Sequence, residues 1–325
     1  MKPYLKRIFL FAGAVAIAGL FYYQGVYLRV YNQSNTKDNT VIGTGIGDRT
    51  AEEIVDDLSG LNNRYSGTKS NFTAVQYIRN YFREAGLEPF YENGYYQSFY
   101  GDSLKNSWYY ELPVRGTVEN VVGKIRGKDS SKAVVITAHL DSFHSKGVLD
   151  NASGTAVLLQ TARRLSQNFK PEEYPIDMVF VAFNAEESYL RGSEAFYPDL
   201  AARYSEVYNI NMDCVGAVDK PLAVKNEHEA SDTLYKEFLP FIKKHAIETR
   251  DIVYAVNKDG IITGTSDHEI FQRNGHAAII LGEDEIVHIV HTKSDNNKEL
   301  LDYDELDRLT DAVVDFITDA DGKVY

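Results

Sequence analysis

The sequence predicts an α/β fold, specifically a three-layer α/β/α sandwich around a mixed, mostly parallel central sheet. Several short segments, such as residues 134–138 and 178–183, are apolar throughout, which is typical of strands buried on both faces. They alternate with segments whose apolar residues recur at helical spacing. No change in composition interrupts the chain after residue 47, so we expect a single domain at residues 48–325.

The first 28 residues predict an N-terminal membrane segment. Lys6 and Arg7 precede an apolar run at residues 8–23, which is near the length that spans a bilayer. Basic residues ahead of such a run favour a cytoplasmic N-terminus, with the rest of the chain across the membrane. A signal peptide cut near Ala18 is the alternative. Because bulky aromatic residues follow at positions 21–23, we favour an uncleaved signal anchor.

The next segment separates this membrane segment from the folded domain. Residues 33–47 are polar and small and show no periodicity, which predicts a linker over residues 29–47. The domain after the linker is therefore expected outside the cytoplasm, in the periplasm or the extracellular space. It would be membrane-anchored, or secreted if the N-terminal segment is cleaved.

Charge and cysteine content exclude some classes of function. The formal net charge is −13 over 325 residues. An acidic surface repels phosphate backbones, so we do not expect nucleic-acid binding. The one cysteine, Cys214, excludes an internal disulfide and a thiolate metal cage. A bound metal must therefore use histidine and carboxylate ligands.

The helices are predicted from apolar periodicity and from residues typical of helix ends. Thr50 and Glu53 have the spacing of a capping box, which opens a helix that ends near Gly60. Asp302 and Glu305 open the last helix in the same way. Between them, amphipathic helices are predicted at residues 70–85, 156–165 and 231–245.

The strands are predicted from short apolar runs bounded by polar residues or glycine. An aromatic, irregular stretch at residues 90–110 indicates an extended segment or hairpin instead. In chain order, the predicted strands are residues 120–125, 134–138, 178–183, 208–212, 222–224 and 277–281.

Polar side chains collect where these strands end. His139 and Asp141 follow the strand at 134–138 with a spacing of two, so their side chains point to the same face. A carboxylate in that position can hydrogen-bond the second imidazole nitrogen and fix the tautomer that a metal-binding histidine needs. Asp150 then lies in a loop directly ahead of a predicted helix.

Four more candidate residues follow three other strands. Glu186 and Glu187 come after one strand, Asp213 after the next, and His291 lies beyond the last. In open α/β sheets, sites form in the crevice outside the carboxyl ends of the strands. Of two adjacent glutamates at such an edge, one can bind metal while its neighbour handles a proton. The sequence therefore predicts a metal site built from several strand ends.

Five motifs at these strand ends occur in a characteristic order. They are His139-x-Asp141, Asp150-Asn-Ala-Ser-Gly154, Glu186-Glu187 with Gly192-Ser193, Asn211-x-Asp213 with Gly216, and His291-Thr292 with Asp295. In these motifs the chain resembles the M28 family of zinc aminopeptidases, the bacterial leucyl-type and related enzymes. The similarity runs from about residue 50 to the C-terminus and includes Arg64-Tyr-Ser-Gly-Thr68.

The resemblance implies a cofactor and a ligand set. Two zinc ions per chain are expected, bridged by the carboxylate of Asp150. His139 and Asp213 would complete the first zinc site, and Glu187 and His291 the second. These residue types suit zinc, which takes imidazole nitrogen and carboxylate oxygen readily.

The resemblance also implies catalytic roles. Glu186 would be the general base, and Asp141 would orient His139 by hydrogen-bonding its second ring nitrogen. We expect the surrounding carboxylates to raise the pKa of Glu186, with bound metals acting against them. The family further implies a cis peptide bond between Asp150 and Asn151. The implied function is a metallo-exopeptidase that removes N-terminal residues from peptides with a free N-terminus.

Three alternatives remain beside this interpretation. Glutaminyl cyclases share the fold with one zinc, and a tethered binding ectodomain could keep the fold without activity. A carboxypeptidase or dipeptidase on a related scaffold is the third, although no arginine is evidently committed to a C-terminal carboxylate. His288 competes with His291 as a ligand, and Asp267-His268 is a further candidate segment. Side-chain preference and oligomeric state are not predicted.

Overall fold

The structure is a computed structural model that describes residues 45–100, 116–250, 266–283, 286 and 288–325. These residues belong to one compact unit. The predicted membrane segment and nearly all of the predicted linker lie outside the described residues. Among the described residues, no helix is both long enough and apolar enough to cross a membrane.

A nine-stranded sheet forms the centre of the domain, in the order β1-β3-β5-β4-β6-β9-β7-β8, with β2 paired to β3. The strands are β1 (Glu88–Pro89), β2 (Tyr96–Tyr100), β3 (Thr117–Ile125), β4 (Asp129–His139), β5 (Ile176–Phe183), β6 (Glu206–Met212), β7 (Leu222–Lys225), β8 (Thr249–Arg250) and β9 (Ala278–Gly282).

The sheet is parallel at its centre and largely antiparallel towards its edges. β5, β4, β6 and β9 are neighbours that pair in parallel, as expected for continuous apolar strands joined through helices. The pairings of β3 with β1, β2 and β5, and of β7 with β9, are antiparallel. The prediction of a mixed sheet is therefore confirmed, and its mostly parallel part is the centre, because β3 pairs antiparallel with each of its neighbours and β7 pairs antiparallel with β9.

Seven α-helices flank the sheet in the described part of the chain. They are α1 (Ala51–Gly60), α2 (Lys69–Glu84), α3 (Gly154–Asn168), α4 (Arg191–Ala201), α5 (Asp232–Lys244), α6 (His268–Arg273) and α7 (Tyr303–Ala320). The predicted capping box is present, because Thr50 accepts from the Glu53 backbone N–H and Glu53 accepts from that of Thr50. Asp302 caps α7 by accepting from the backbone N–H of Glu305.

Helices pack on both faces of the sheet. Every residue of β5 is buried. Val179, Val181 and Phe183 pack in one cluster with residues of α4 and α6, including Phe196. Phe180, which points the opposite way, lies with its ring centroid 6.5 Å from that of Phe82 in α2.

Helices α4 and α6 were not predicted from the sequence. α4 contains Gly192 near its start and Pro198 in its interior, and both residues weaken a helical pattern. Gly192 is required for close packing, since a Cβ there would lie 2.1 Å from the carbonyl oxygen of Asn184. α6 has only six residues, too few to show periodicity.

Candidate metal centre

The parallel strands bring the predicted ligands to one edge of the sheet. β4 ends at His139, and β6 ends one residue before Asp213. β5 ends at Phe183, three residues before Glu186. Because β4, β5 and β6 run in the same direction, these side chains meet at the carboxyl end of the sheet.

One group of potential ligands surrounds His139. Its Nε2 atom lies 3.2 Å from Oδ1 of Asp150 and 3.3 Å from Oδ1 of Asp213. One ligand atom from each of the three residues falls within 4.8 Å of the others. The His139 side chain is 1% exposed, whereas that of Asp213 is 14% exposed, so the group is reached from the Asp213 side.

A second group surrounds His291 and shares Asp150 with the first. Nε2 of His291 lies 3.1 Å from Oδ2 of Asp150 and 2.7 Å from Oε2 of Glu187. These atoms also lie within 4.8 Å of one another. Asp150 therefore presents one oxygen to each histidine, which is the arrangement of a bridging carboxylate.

The side chain of Asn151 fixes the backbone around Asp150. The peptide bond between Asp150 and Asn151 is cis, as expected from the resemblance. The Asn151 side chain donates to the carbonyl oxygen of Met212 at 2.9 Å and accepts from the backbone N–H groups of Gly154 and Cys214. This amide therefore joins the Asp150 loop to the end of β6, which carries Asp213.

Asp141 organises the neighbouring glutamates as well as facing His139. Its Oδ1 lies 3.6 Å from Nδ1 of His139, slightly beyond hydrogen-bond distance. Its two oxygens accept from the backbone N–H groups of Glu186, at 3.2 Å, and Glu187, at 3.3 Å. Asp141 thus connects the end of β4 to the segment after β5, a role that the sequence did not reveal.

The segment after β5 adopts a conformation that non-glycine residues seldom take. Ala185, Tyr189 and Leu190 have φ values of 59°, 69° and 58°. Left-handed backbone costs roughly 1–2 kcal/mol per residue, and such cost is typically retained at functional sites. The turn brings Glu186 and Glu187 to the sheet edge pointing in different directions.

Electrostatics at this edge are dominated by carboxylates. Burial raises the pKa of Glu186 well above its usual range, and the nearby Asp213 and Glu187 carboxylates add to the shift, while His139 opposes it. The direction agrees with the sequence-based expectation. Burial and the Asp150 charge raise the pKa of Glu187 to about 8. Burial also raises the pKa of Asp267 to about 7.

Burial acts to lower the pKa values of His139 and His291, but the neighbouring carboxylates outweigh it. Burial opposes protonation of His139, but the Asp213 and Glu186 charges hold its pKa well above the usual value. Burial likewise opposes protonation of His291, yet its hydrogen bonds to Asp150 and Glu187 raise its pKa to about 11. The site therefore attracts positive charge, which metal ions would supply in place of these protons.

Several buried polar atoms at the site lack hydrogen-bond partners among the described residues. They are Nδ1 of His139, Oε1 of Glu187 and both oxygens of Asp267. Buried polar atoms are normally paired, and exceptions call for a ligand or a catalytic role. With an all-imidazole and carboxylate donor set, the two groups fit zinc ions well.

The loop between His139 and Asp150 depends on Arg64, which the sequence indicates only as part of a motif. Arg64 is fully buried and donates to the carbonyl oxygens of Leu140, at 2.9 Å, and Gly147, at 3.0 Å, as well as to that of Lys146. Burial lowers the pKa of Arg64 to about 10, which still leaves it charged. No sequence pattern indicates that its partners are main-chain carbonyls.

The remaining candidates lie apart from the two ligand groups. His288 is exposed and belongs to neither of them. His268 is fully buried, and its Nε2 lies 2.9 Å from Oε2 of Glu227. Asp267 is buried near the site, where His139 and Asp213 influence its pKa.

Comparisons with known proteins agree with this architecture. The model of "Peptidase family M28" matches residues 120–317. Aminopeptidase YwaD of Bacillus subtilis is 31% identical over 195 residues, which cover 55% of this chain and 40% of that protein. Matched regions span 15% to 40% of the lengths of the curated relatives compared.

Two solved structures share the fold at low sequence identity. The zinc aminopeptidase BSAP from Bacillus subtilis aligns with a TM-score of 0.64 and 18% identity, covering 84% of this chain and 95% of that one. A glutaminyl cyclase from Bacteroides thetaiotaomicron aligns with a TM-score of 0.63 and 17% identity, covering 82% and 96%. Fold similarity alone therefore does not distinguish these two activities.

Proposed function

Since the chain belongs to peptidase family M28, we propose that it is a dizinc aminopeptidase that hydrolyses the N-terminal bond of peptides. The observation that carries this proposal is the geometry of Asp150. Its two carboxylate oxygens face His139 and His291 at 3.2 and 3.1 Å, in two groups that share no other residue. A carboxylate shared by two histidine-containing groups suits a site that would hold two metal ions.

Each residue has a defined part in the proposed chemistry. When bound, the zinc ions would polarise the scissile carbonyl and acidify the attacking water. His139, Asp213, Glu187 and His291 would hold them, together with Asp150. Glu186 supplies the base: its buried carboxylate accepts a proton from the water and delivers it to the leaving amine.

Burial raises the pKa of Glu186 in the metal-free chain, and bound zinc ions would lower it again, towards the range in which the carboxylate can accept a proton. The Asp141 carboxylate keeps this base in place by accepting from the backbone N–H of Glu186 at 3.2 Å. Its oxygen 3.6 Å from Nδ1 of His139 also favours the ring orientation in which Nε2 faces Asp150 and Asp213.

Substrates with a free N-terminus suit the negative charge of the candidate metal centre. The edge of the sheet buries more carboxylates than cationic groups, and both oxygens of Asp267 lack a hydrogen-bond partner within the described part of the chain. An α-ammonium group would find acceptors there.

We also propose that the N-terminal segment is a membrane anchor that holds the peptidase domain outside the cytoplasm.

A panel of aminoacyl-p-nitroanilides, free and N-acetylated, with and without a chelator, tests the activity. We expect hydrolysis of the free substrates only, loss of activity with chelator, and recovery when zinc is returned. Equal hydrolysis of the acetylated substrates would contradict an aminopeptidase.

Metal analysis separates the proposal from the glutaminyl cyclase alternative. We expect two zinc ions per chain by elemental analysis of the purified protein. One tightly bound zinc, together with cyclisation of N-terminal glutamine, would instead favour the cyclase.

A further inference from the structure

We propose that Asp295 is the positioning residue of the second zinc site and controls its occupancy separately from the first. The inference rests on the proposed dizinc function and adds a residue that is not itself a ligand. Asp295 lies four residues after His291, and its side chain reaches back to the loop that carries Asp150. It thereby ties together two ligands that come from distant parts of the chain.

The contacts of Asp295 are with groups on the Asp150 side. Its Oδ1 accepts from the backbone N–H of Leu149 at 2.6 Å. Its Oδ2 accepts from the Ser145 hydroxyl at 3.1 Å and from the backbone N–H of Asp150 at 3.4 Å. Asp295 is fully buried, so these bonds are not exchanged with water.

The first site depends less on such a connection, because strand ends already hold two of its three proposed ligands, His139 and Asp213. His139 is the last residue of β4, and the backbone N–H of Asp213 donates to the carbonyl of Leu281 in β9 at 2.9 Å. The side chain of Asn151 additionally ties the Asp150 loop to the end of β6.

The second site has less support from the sheet. His291 lies outside the strands, its side chain is 36% exposed, and its φ of 57° is in the left-handed region. The turn that contains His291 is closed locally, with the Thr292 hydroxyl donating to the carbonyl of Ile289. Within the described part of the chain, Asp295 therefore joins the His291 turn directly to the backbone of the proposed bridging ligand.

The test compares zinc affinities of the two sites in the full chain, measured by competition with a chromophoric chelator. We expect Asp295→Ala to weaken the second zinc about 10- to 100-fold, the usual effect of removing a group that orients ligands. The first zinc should weaken less than about threefold. Asp295→Asn keeps one acceptor oxygen for Leu149 but turns its amide towards other donors, so we expect an intermediate loss.

Asn296→Ala is the matched control. The Asn296 side chain accepts from the backbone N–H of Lys146, at 2.6 Å in the same loop, but touches no ligand. This variant should retain both zinc ions with wild-type affinity. If its thermal stability falls as much as that of Asp295→Asn, the difference in zinc binding between the two variants cannot come from loss of folding.

Two results would overturn the inference: both zinc ions bound normally by Asp295→Ala, or equal weakening of both sites. Failure of the proposed function gives a different result, since the wild-type chain itself would then hold fewer than two zinc ions. That result would remove the second site altogether and the inference with it.

Discussion

Buried carboxylates lie near both ends of strand β5, and they differ in how completely their oxygens are hydrogen-bonded. At its start, Asp177 accepts from the backbone N–H of Gly127 and the Ser130 hydroxyl, both at 2.8 Å, and from the Tyr204 hydroxyl at 2.7 Å. Lys124 lies 3.6 Å away as its counter-ion. Beyond the other end, Oε1 of Glu187 has no partner among the described residues.

The difference shows how to separate structural from functional acids in one fold. A carboxylate whose oxygens are all paired within the protein stabilises the fold, and nothing further is required of it. A buried carboxylate with one oxygen left without a donor costs stability unless a ligand completes it, so such groups mark sites of function.

The largest effect is expected at the functional end. Glu186→Gln should lower kcat by about a thousandfold, because the amide cannot accept the proton of the attacking water. Zinc content should stay at the wild-type value. The measurement is steady-state hydrolysis of an aminoacyl-p-nitroanilide together with elemental analysis.

The adjacent variant Glu187→Gln provides the contrast. It should lose zinc from the site that contains His291. Loss of metal from Glu186→Gln with retention in Glu187→Gln would mean that the roles of the two glutamates are exchanged.

At the structural end, Asp177→Ala should lower the free energy of unfolding by about 3–5 kcal/mol, since it leaves a buried N–H and a buried hydroxyl without an acceptor. Its kcat per folded molecule should match the wild type, because Asp177 lies at the opposite end of β5. Urea denaturation and activity below the transition check both parts. If Asp177→Ala kept the wild-type free energy of unfolding but lost turnover, Asp177 would have a functional role and the comparison would fail.

Glu283, directly after β9, is an intermediate case that tests pH dependence. Its Oε1 accepts from the backbone N–H groups of Gly216 and Ala217, whereas Oε2 has no partner among the described residues. Burial raises its pKa to about 8. A raised carboxyl pKa stabilises the fold below the unfolded value of about 4.5, and that contribution is lost as pH rises towards 8.

Glu283→Gln should therefore match the wild type near pH 4 and be more stable near pH 9, on the order of 3 kcal/mol. The amide oxygen can keep both backbone hydrogen bonds and has no charge to bury. Chemical denaturation at several pH values, in matched buffers, measures the difference. If the free energies of unfolding of the two proteins changed with pH in parallel, ionisation of Glu283 would not destabilise the fold.

The smallest effect concerns a single donor to Asp177. Ser130→Ala removes one of its hydrogen bonds and should cost about 1 kcal/mol, because Gly127 and Tyr204 remain as donors. The midpoint of urea unfolding reports this change. A loss as large as that of Asp177→Ala would mean that Ser130 alone satisfies the carboxylate.

Much of the central sheet could be predicted from sequence, because its strands are buried on both faces and contain little but apolar residues. The site residues after these strands were predicted for the same reason, since the carboxyl ends of parallel strands lie at one edge of the sheet. The pairing of these residues into two groups, however, came from the resemblance rather than from their spacing. Candidate ligands as far apart in sequence as His139 and Asp213, which are separated by 74 positions, have no local signal that pairs them.

Other features depend on contacts that no local pattern carries. Arg64 binds carbonyl groups some 80 residues away, at Leu140 and Gly147, and main-chain acceptors have no residue type to recognise. The partners of Asp177 come from separate segments of the chain. Helix α4 was not predicted because a glycine normally indicates a helix break. Gly192 is present instead because the helix packs closely against the backbone of Asn184.

The burial of Cys214 has a practical consequence for labelling experiments. It is the one cysteine of the chain and is 7% exposed, and burial raises the pKa of its thiol well above the usual range. Maleimides react with exposed thiolates, so the native chain offers them almost no target. A cysteine introduced at an exposed position such as Val218 would accept a single fluorophore, without prior removal of the native thiol.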